Sequence, residues 1–185
     1  FKDIEEMHRK LIKRYNATVG ENDVCYFLGD MGFNSKNGLI GIMEQLNGTK
    51  ILVRGNHDKK QQAMMNSGFD AVIDSAVMHI QNERVSLSHC PLRKVFREDT
   101  KSMRSFTEGE MWHGEFRNQE YSVENEGQFH LHGHIHSPNG GKSTKILDRQ
   151  YDVGVVANGY APVSISTIES WIFITKRNEK EDSIR

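Results

Sequence analysis

The chain alternates between two hydrophobic patterns, and each pattern predicts a different kind of element. Near the amino end, apolar residues recur every three to four positions over residues 2–16, which predicts an amphipathic helix. Shorter helices are expected over 39–46 and 59–67. Ser166 and Glu169 have the spacing of a capping box and favour a helix near the carboxyl end, although the apolar run there is also compatible with a strand.

Unbroken apolar runs mark the predicted strands. Residues 24–28 and 50–54 lack the alternation of a half-exposed strand, so we expect strands that are buried on both faces. Residues 71–80 and 85–88 are expected to be extended, and a further strand is predicted over 151–155. Helical and strand patterns follow one another along 185 residues, which predicts one α/β domain with a substantial core.

Chemically capable side chains stand where these predicted strands end. Gly29-Asp30 follows the first strand, Gly55-Asn56-His57-Asp58 follows the second, and His89 follows the strand at 85–88. Functional groups in α/β folds gather at the carboxyl ends of strands, so we expect these segments to meet. Plainer interpretations exist, since Gly-Asp is common in turns and a lone histidine is more often structural.

The densest signal is His130–His136, which reads His-Leu-His-Gly-His-Ile-His. Side chains on a strand alternate between its faces, so an extended conformation places all four histidines on one side. Neutral imidazole is the most common metal ligand in proteins, and the pattern therefore predicts metal binding. An exposed polar strand face is the alternative. An affinity tag is disfavoured because the run is internal and interrupted by Leu131 and Ile135.

Composition narrows the function classes. The 24 Lys and Arg residues balance 25 Asp and Glu residues and leave a net charge of −1, so no global field attracts nucleic acid or a membrane surface. No apolar run reaches the roughly 18 residues of a membrane span, and no signal peptide is evident. Cys25 and Cys90 lack CxxC spacing and are expected to be reduced, which indicates a cytoplasmic protein.

Two segments stand apart because of their charge. Residues 97–128 form a polar excursion, for which we expect a surface segment and keep a lid over the site as the alternative. Residues 178–185 are predicted to be a charged tail that frays, so the domain is placed at 1–177.

The order of the motifs resembles the calcineurin-like metallophosphoesterase superfamily. Gly-Asp, Gly-Asn-His-Asp, a later histidine and Gly-His-x-His follow one another between Gly29 and His136. The resemblance implies a four-layer α-β-β-α sandwich of two mixed sheets, with two divalent metal ions at the strand ends. The metal ligands that it implies are Asp30, which would bridge the ions, Asn56, His89 and His134 at one ion, and His136 at the other.

The same resemblance implies roles for residues near the metal ligands. His57 would stabilise the phosphoryl oxygens or protonate the leaving group, and Asp58 would orient it. Arg93, just past His89, is a candidate phosphate contact, with a plain surface arginine as the alternative. Nitrogen and oxygen ligands without thiolate suit Mn, Fe or Zn, and the sequence does not choose among them.

One motif of the superfamily is absent from the chain. No Asp-x-His occurs in it, although that motif precedes the first helix in the superfamily, at the end of the first strand. We therefore expect that a segment before Phe1 has been lost and that the first strand of the fold is missing. Because the missing motif would supply two ligands to one ion, the chain is expected to hold the ion at Asn56, His89 and His134 better than the other.

The leading hypothesis is a metal-dependent phosphoesterase acting on phosphodiesters or nucleotides. The alternative is a catalytically incomplete protein of the same fold that serves as a binding module. A nuclease acting on DNA ends is disfavoured, because the balanced composition shows no basic track.

Overall fold

The computed structural model describes residues 1–31, 38–92, 119–136 and 149–184. The helices are α1 (Ile4–Thr18), α2 (Gly38–Met43), α3 (Gln61–Met65) and α4 (Ile165–Asp182). The strands are β1 (Val24–Phe27), β2 (Thr49–Val53), β3 (Ala71–Ile73), β4 (Ala76–Ile80), β5 (Glu83–Leu87), β6 (Phe129–His132) and β7 (Gln150–Asp152). A 3-10 turn covers Gln119–Tyr121. Arg93 and residues 97–118 of the predicted excursion lie outside the described residues.

The first sheet contains β1, β2 and β3, all parallel and in that order. Helices α2 and α3 cover one of its faces, where Met43 and Met64 pack with Leu52 of β2. The prediction that the first strand is buried on both faces is wrong. Val24 is 55% exposed, and β1 lies at the edge of the sheet among the described strands.

The second sheet has the order β4-β5-β6-β7. β4 and β5 pair as an antiparallel hairpin, whereas β5, β6 and β7 are parallel to one another. Gln81 and Asn82 connect the hairpin with φ angles of 51° and 64°, the left-handed conformation that two-residue hairpin turns require. The single extended segment predicted over 71–80 is therefore divided, because β3 belongs to the first sheet and β4 to the second.

Helix α4 covers the apolar face of the second sheet. Ile168, Trp171 and Ile172 pack against Val85 and Phe129 of that sheet. The element at the carboxyl end is thus a helix and not a strand. Its N-cap is Ser164, whose hydroxyl accepts a hydrogen bond from the backbone N–H of Thr167, so the capping box predicted at Ser166 begins two residues too late.

The predicted charged tail is largely helical. Helix α4 continues through residue 182, and the predicted boundary at 177 falls inside it. Both guanidinium N–H groups of Arg149 that face Glu179 donate to its carboxylate at 2.7 Å, which ties the last turns of the helix to the start of β7.

The α/β class predicted from the sequence is confirmed, with two sheets and covering helices. One sheet is mixed as expected, but the other is wholly parallel in the part of the chain that the structure describes. Tyr26 and Leu28 pack against the core between α4 and the second sheet, so the end of β1 contacts that sheet. Among the described residues, no helix has the length and apolar character to cross a membrane.

Candidate metal centre

The loops after β1 and β2 meet because two glycines lie back to back. Gly29 has a φ of 87°, and a Cβ atom there would lie 2.5 Å from Nδ1 of His89 and 2.7 Å from the backbone N of Gly55. A Cβ atom on Gly55 would lie 2.7 Å from the backbone N of Asp30 and would collide with its carboxylate. Only glycine allows this close approach, which explains why both strands end in one.

Asp58 fixes the two loops to each other. Its carboxylate accepts hydrogen bonds from the backbone N–H groups of Gly55 at 2.8 Å, Asp30 at 2.9 Å and Met31 at 2.9 Å. Both of its oxygens are engaged in this way. The geometry gives Asp58 a positioning role in the loops, and the orientation of His57 that the resemblance implies stays a prediction.

Four side chains from four segments converge at the ends of the strands. Nε2 of His89 lies 3.0 Å from Oδ1 of Asn56, 3.1 Å from Nδ1 of His134 and 3.3 Å from Oδ2 of Asp30. His89 is 1% exposed and the Asp30 side chain is 19% exposed, so the cluster opens toward solvent on the Asp30 side. The predicted ligands Asp30, Asn56 and His134 thus each lie next to Nε2 of the fourth, His89.

These spacings match the edges of a metal coordination shell. Ligand bonds of about 2.0–2.2 Å place neighbouring ligand atoms about 3.0 Å apart in an octahedron and about 3.4 Å apart in a tetrahedron. The measured separations from Nε2 of His89 lie between 3.0 and 3.3 Å. These three separations are compatible with neighbouring ligands of one ion, with Nε2 of His89 as the shared corner.

Hydrogen bonding assigns the tautomer of His89. Its Nδ1 lies 2.6 Å from the backbone oxygen of Leu28, and because a carbonyl oxygen can only accept, Nδ1 carries the hydrogen. In the neutral ring Nε2 then presents a lone pair toward the oxygens of Asp30 and Asn56, which also carry lone pairs. A cation relieves this repulsion, and a metal-binding histidine typically donates its other N–H to a carbonyl in the same way.

The pKa values in the cluster reflect the same arrangement. Burial alone would lower the pKa of His89, but the Asp30 carboxylate and the Leu28 carbonyl raise it above its usual value. Burial alone would raise the pKa of Asp30, yet hydrogen bonds from His89 and the backbone of His57 lower it. Burial and the neighbouring His89 lower the pKa of His134. Negative charge on Asp30 and positive charge beside it stabilise each other.

The histidine run is not one extended strand. β6 ends at His132, and His134 and His136 have φ angles of 65° and 48°, so the prediction that four histidines share one strand face is wrong. The chain turns after Gly133, whose N–H donates to the backbone oxygen of His89, and this turn brings His134 to the cluster. His136 is exposed and lines the same cavity, of about 570 Å³, as Asp30, His89 and His134.

His130 and His132 lie in the core and not at the cluster. Each is 0% exposed. The ring of His130 lies 2.9 Å from Oγ of Ser86 and 3.1 Å from the backbone oxygen of Cys90. The alternation of side chains along a strand correctly predicts that these two histidines share one face of β6, but that face is buried and polar.

Because His130 is buried, the stability of the protein should depend on pH. Burial, together with His132, lowers the pKa of His130 to about 3. In the unfolded chain His130 has an ordinary pKa of about 6.5. As the pH falls, His130 therefore binds a proton in the unfolded state before it does so in the folded state. The unfolding free energy should therefore carry the full contribution of the neutral His130 above about pH 6.5. As the pH falls toward 3, the unfolding free energy should decrease by at most about 1.4 kcal/mol per pH unit.

Urea unfolding between about pH 7 and pH 5 measures this dependence. We expect His130→Asn to flatten the slope of unfolding free energy against pH. His79→Asn, at an exposed position of β4, controls for the loss of a histidine as such. Equal slopes for His130→Asn and the parent protein would contradict a neutral, buried His130.

The remaining predicted site residues have different surroundings. His57 is exposed, and its backbone N–H donates to Oδ1 of Asp30 at 3.0 Å, which places it beside the cluster. Sequence reasoning missed Cys90: its thiol and one ring nitrogen each of His89 and His134 lie within 4.8 Å of one another. The signal available in the sequence was its position directly after His89.

Comparisons with known proteins assign no activity. No protein-family model matches the chain. The uncharacterized protein MJ1445 of Methanocaldococcus jannaschii is 43% identical over 61 residues, 32% of this chain and 35% of that protein. The Gene 66 protein of Mycobacterium phage L5 is 29% identical over 162 residues, 85% of this chain and 77% of that protein. The crystal structure of AQ665 from Aquifex aeolicus, a protein of unknown function, has a TM-score of 0.60 and 26% identity, covering 91% of this chain and 86% of that one.

Proposed function

We propose that the protein is a metal-dependent phosphoesterase similar to the calcineurin-like metallophosphoesterases. One observation carries the proposal: Asp30, Asn56 and His134 place an oxygen or nitrogen within 3.3 Å of Nε2 of His89, each from a different segment. Two imidazole nitrogens, an amide oxygen and a carboxylate oxygen gathered at one point suit a divalent cation.

The chemistry of the ligand set fits the proposed ions. Asp30, Asn56, His89 and His134 offer two oxygens and two imidazole nitrogens, a combination that Mn²⁺, Fe or Zn²⁺ accepts. The resemblance implies that Asp30 and His136 would also hold a second ion. Metal ions held by these residues would supply Lewis-acid chemistry and a hydroxide near neutral pH for a phosphoryl displacement.

The residues around the cluster supply orientation and a proton. An oxygen derived from water forms the new bond to phosphorus, and the bond from phosphorus to the alcohol breaks in line with it. His57, which is exposed and whose backbone N–H donates to Asp30, would donate the proton that the departing alkoxide takes up. Asp58 holds the backbone of Asp30 and Gly55 in place during this step.

Phosphodiesters and nucleotides are the proposed substrates. This part rests on analogy with small members of the superfamily, which commonly act on such substrates. The cavity beside the cluster, of about 570 Å³, has the size of a small-molecule site.

Hydrolysis of bis-p-nitrophenyl phosphate tests the activity. The purified chain should release p-nitrophenol when Mn²⁺ is added, and a chelator should stop the release. His57→Ala should lower kcat by about 100-fold with Mn²⁺ binding retained, since general acid catalysis contributes on that order. His79→Ala is the matched control. Activity that persists in the chelator, or in both His57→Ala and Asp30→Ala, would overturn the proposal.

A non-catalytic binding module is the second candidate. The observation that favours it is the asymmetry of the ligands: one ion is offered four side chains, whereas Asp30 and the exposed His136 are the predicted ligands of the other. Metal analysis after equilibrium dialysis separates the two functions. Two ions per chain support the enzyme, and a single ion in a chain without activity supports the module.

A further inference from the structure

We propose that Cys90 is a thiolate ligand of the candidate centre and makes it prefer Zn²⁺, Co²⁺ and Cd²⁺ over Mn²⁺. The inference rests on the proposed metal centre and adds to it a sulfur ligand that determines metal selectivity. Its basis is the cluster of one thiol and two imidazoles, in which Sγ of Cys90 and a nitrogen each of His89 and His134 lie within 4.8 Å of one another.

The position of Cys90 is fixed by its backbone. Its N–H donates to the backbone oxygen of Tyr121 at 2.9 Å. Its own carbonyl oxygen lies 2.9 Å from Oγ of Ser88 and 3.1 Å from Nε2 of His130. These contacts anchor the backbone of Cys90 on both sides, so rotation about its Cα–Cβ bond sets the distance of Sγ from the two imidazoles.

The distances allow coordination after a small movement. Bonds of about 2.3 Å to sulfur and about 2.1 Å to nitrogen place these atoms about 3.6 Å apart around a tetrahedral ion. The observed upper limit is 4.8 Å, so the distance from the thiol sulfur to either nitrogen has to shorten by at most about 1.2 Å. Two imidazoles and a thiolate form the protein ligand set of several zinc sites.

A thiolate at this buried position would need a cation to stabilise its charge. Cys90 is 7% exposed and His89 is 1% exposed, so an unpaired thiolate here would lose most of its hydration. Coordination forms one metal–sulfur bond and releases the thiol proton to water. Thiolate is a soft ligand, whereas Mn²⁺ favours oxygen ligands, so the gain is largest for Zn²⁺, Co²⁺ and Cd²⁺.

Titration with Co²⁺ tests the sulfur ligand directly. In the parent protein we expect visible ligand-field bands together with a near-ultraviolet band from thiolate-to-cobalt charge transfer. Cys90→Ser should lose the charge-transfer band and keep the ligand-field bands. Calorimetry should show Zn²⁺ affinity falling by about 10-fold or more in Cys90→Ser, while Mn²⁺ affinity changes by less than about 3-fold.

Controls separate this inference from the proposed function. Cys25→Ser, at a partly buried position of β1, removes the other thiol and should leave the charge-transfer band in place. Cys90→Ala, with the far-ultraviolet circular dichroism of the parent, repeats the test without a hydroxyl. Ligand-field bands without charge transfer in the parent protein would overturn the role of Cys90 alone. A parent protein that binds neither Co²⁺ nor Mn²⁺ would overturn the metal centre and the proposed function together.

Discussion

His89→Asn should abolish metal-dependent activity while the protein stays folded. Asparagine carries its amide nitrogen near the place of Nδ1, so the hydrogen bond to the Leu28 carbonyl, 2.6 Å long in the parent, can persist. The variant has no atom at the place of Nε2, the point on which the other three ligands converge. Losing several kcal/mol of transition-state stabilisation corresponds to about a 1000-fold fall in kcat/KM.

Metal affinity and stability are measured on the same variant. Calorimetry should show at least about a 100-fold weaker affinity for Mn²⁺. Loss of a residue that only hydrogen-bonds to a metal ligand already lowers metal affinity by about 10- to 100-fold. His89→Gln is the matched comparison, because its amide oxygen lies near the place of Nε2 and should restore part of the binding. Unchanged affinity in a folded His89→Asn protein would show that the cluster does not bind the metal.

Gly55→Ala should disrupt the site without removing any ligand. Its Cβ atom would lie 2.7 Å from the backbone N of Asp30 and would collide with the carboxylate, so the two loops must separate. Overpacking of this kind costs roughly 1–3 kcal/mol of unfolding free energy. We expect metal binding to be lost as well, because Asp30 is displaced from His89.

The control is a glycine with open surroundings. A Cβ atom on Gly41, an exposed position in α2, meets nothing within 4 Å, and Gly41→Ala should stabilise the helix by about 0.5–1 kcal/mol. Urea unfolding and Mn²⁺ calorimetry on both variants make the comparison. Normal metal affinity in Gly55→Ala would contradict the back-to-back packing of the two loops.

The sequence predicted the convergence of the site because apolar runs reveal where strands end. Asp30 and Asn56 follow two neighbouring parallel strands, and glycine before each signals a close approach. His89 was found in the same way at the end of β5. These inferences needed only local patterns and one rule of α/β folds, that strand ends share an edge.

What the sequence missed depends on backbone angles and long-range contacts. Strict alternation cannot reveal that β6 ends at His132, since the left-handed φ of His134 is set by the turn that follows Gly133. Likewise, nothing local to Asp58 indicates that its partners are backbone amides of a loop 27 and 28 residues away. The division of residues 71–80 between two sheets is likewise set by tertiary contacts and not by the local sequence.

The carboxylate of Asp58 has a consequence for thermodynamics. Because it receives amide hydrogens from both strand ends, the two tips form a single mechanical unit with the first sheet. The conformational entropy of ordering Asp30 and Asn56 is then spent during folding and not at the moment of ion capture. Cation uptake by this chain should therefore be accompanied by little change in backbone order.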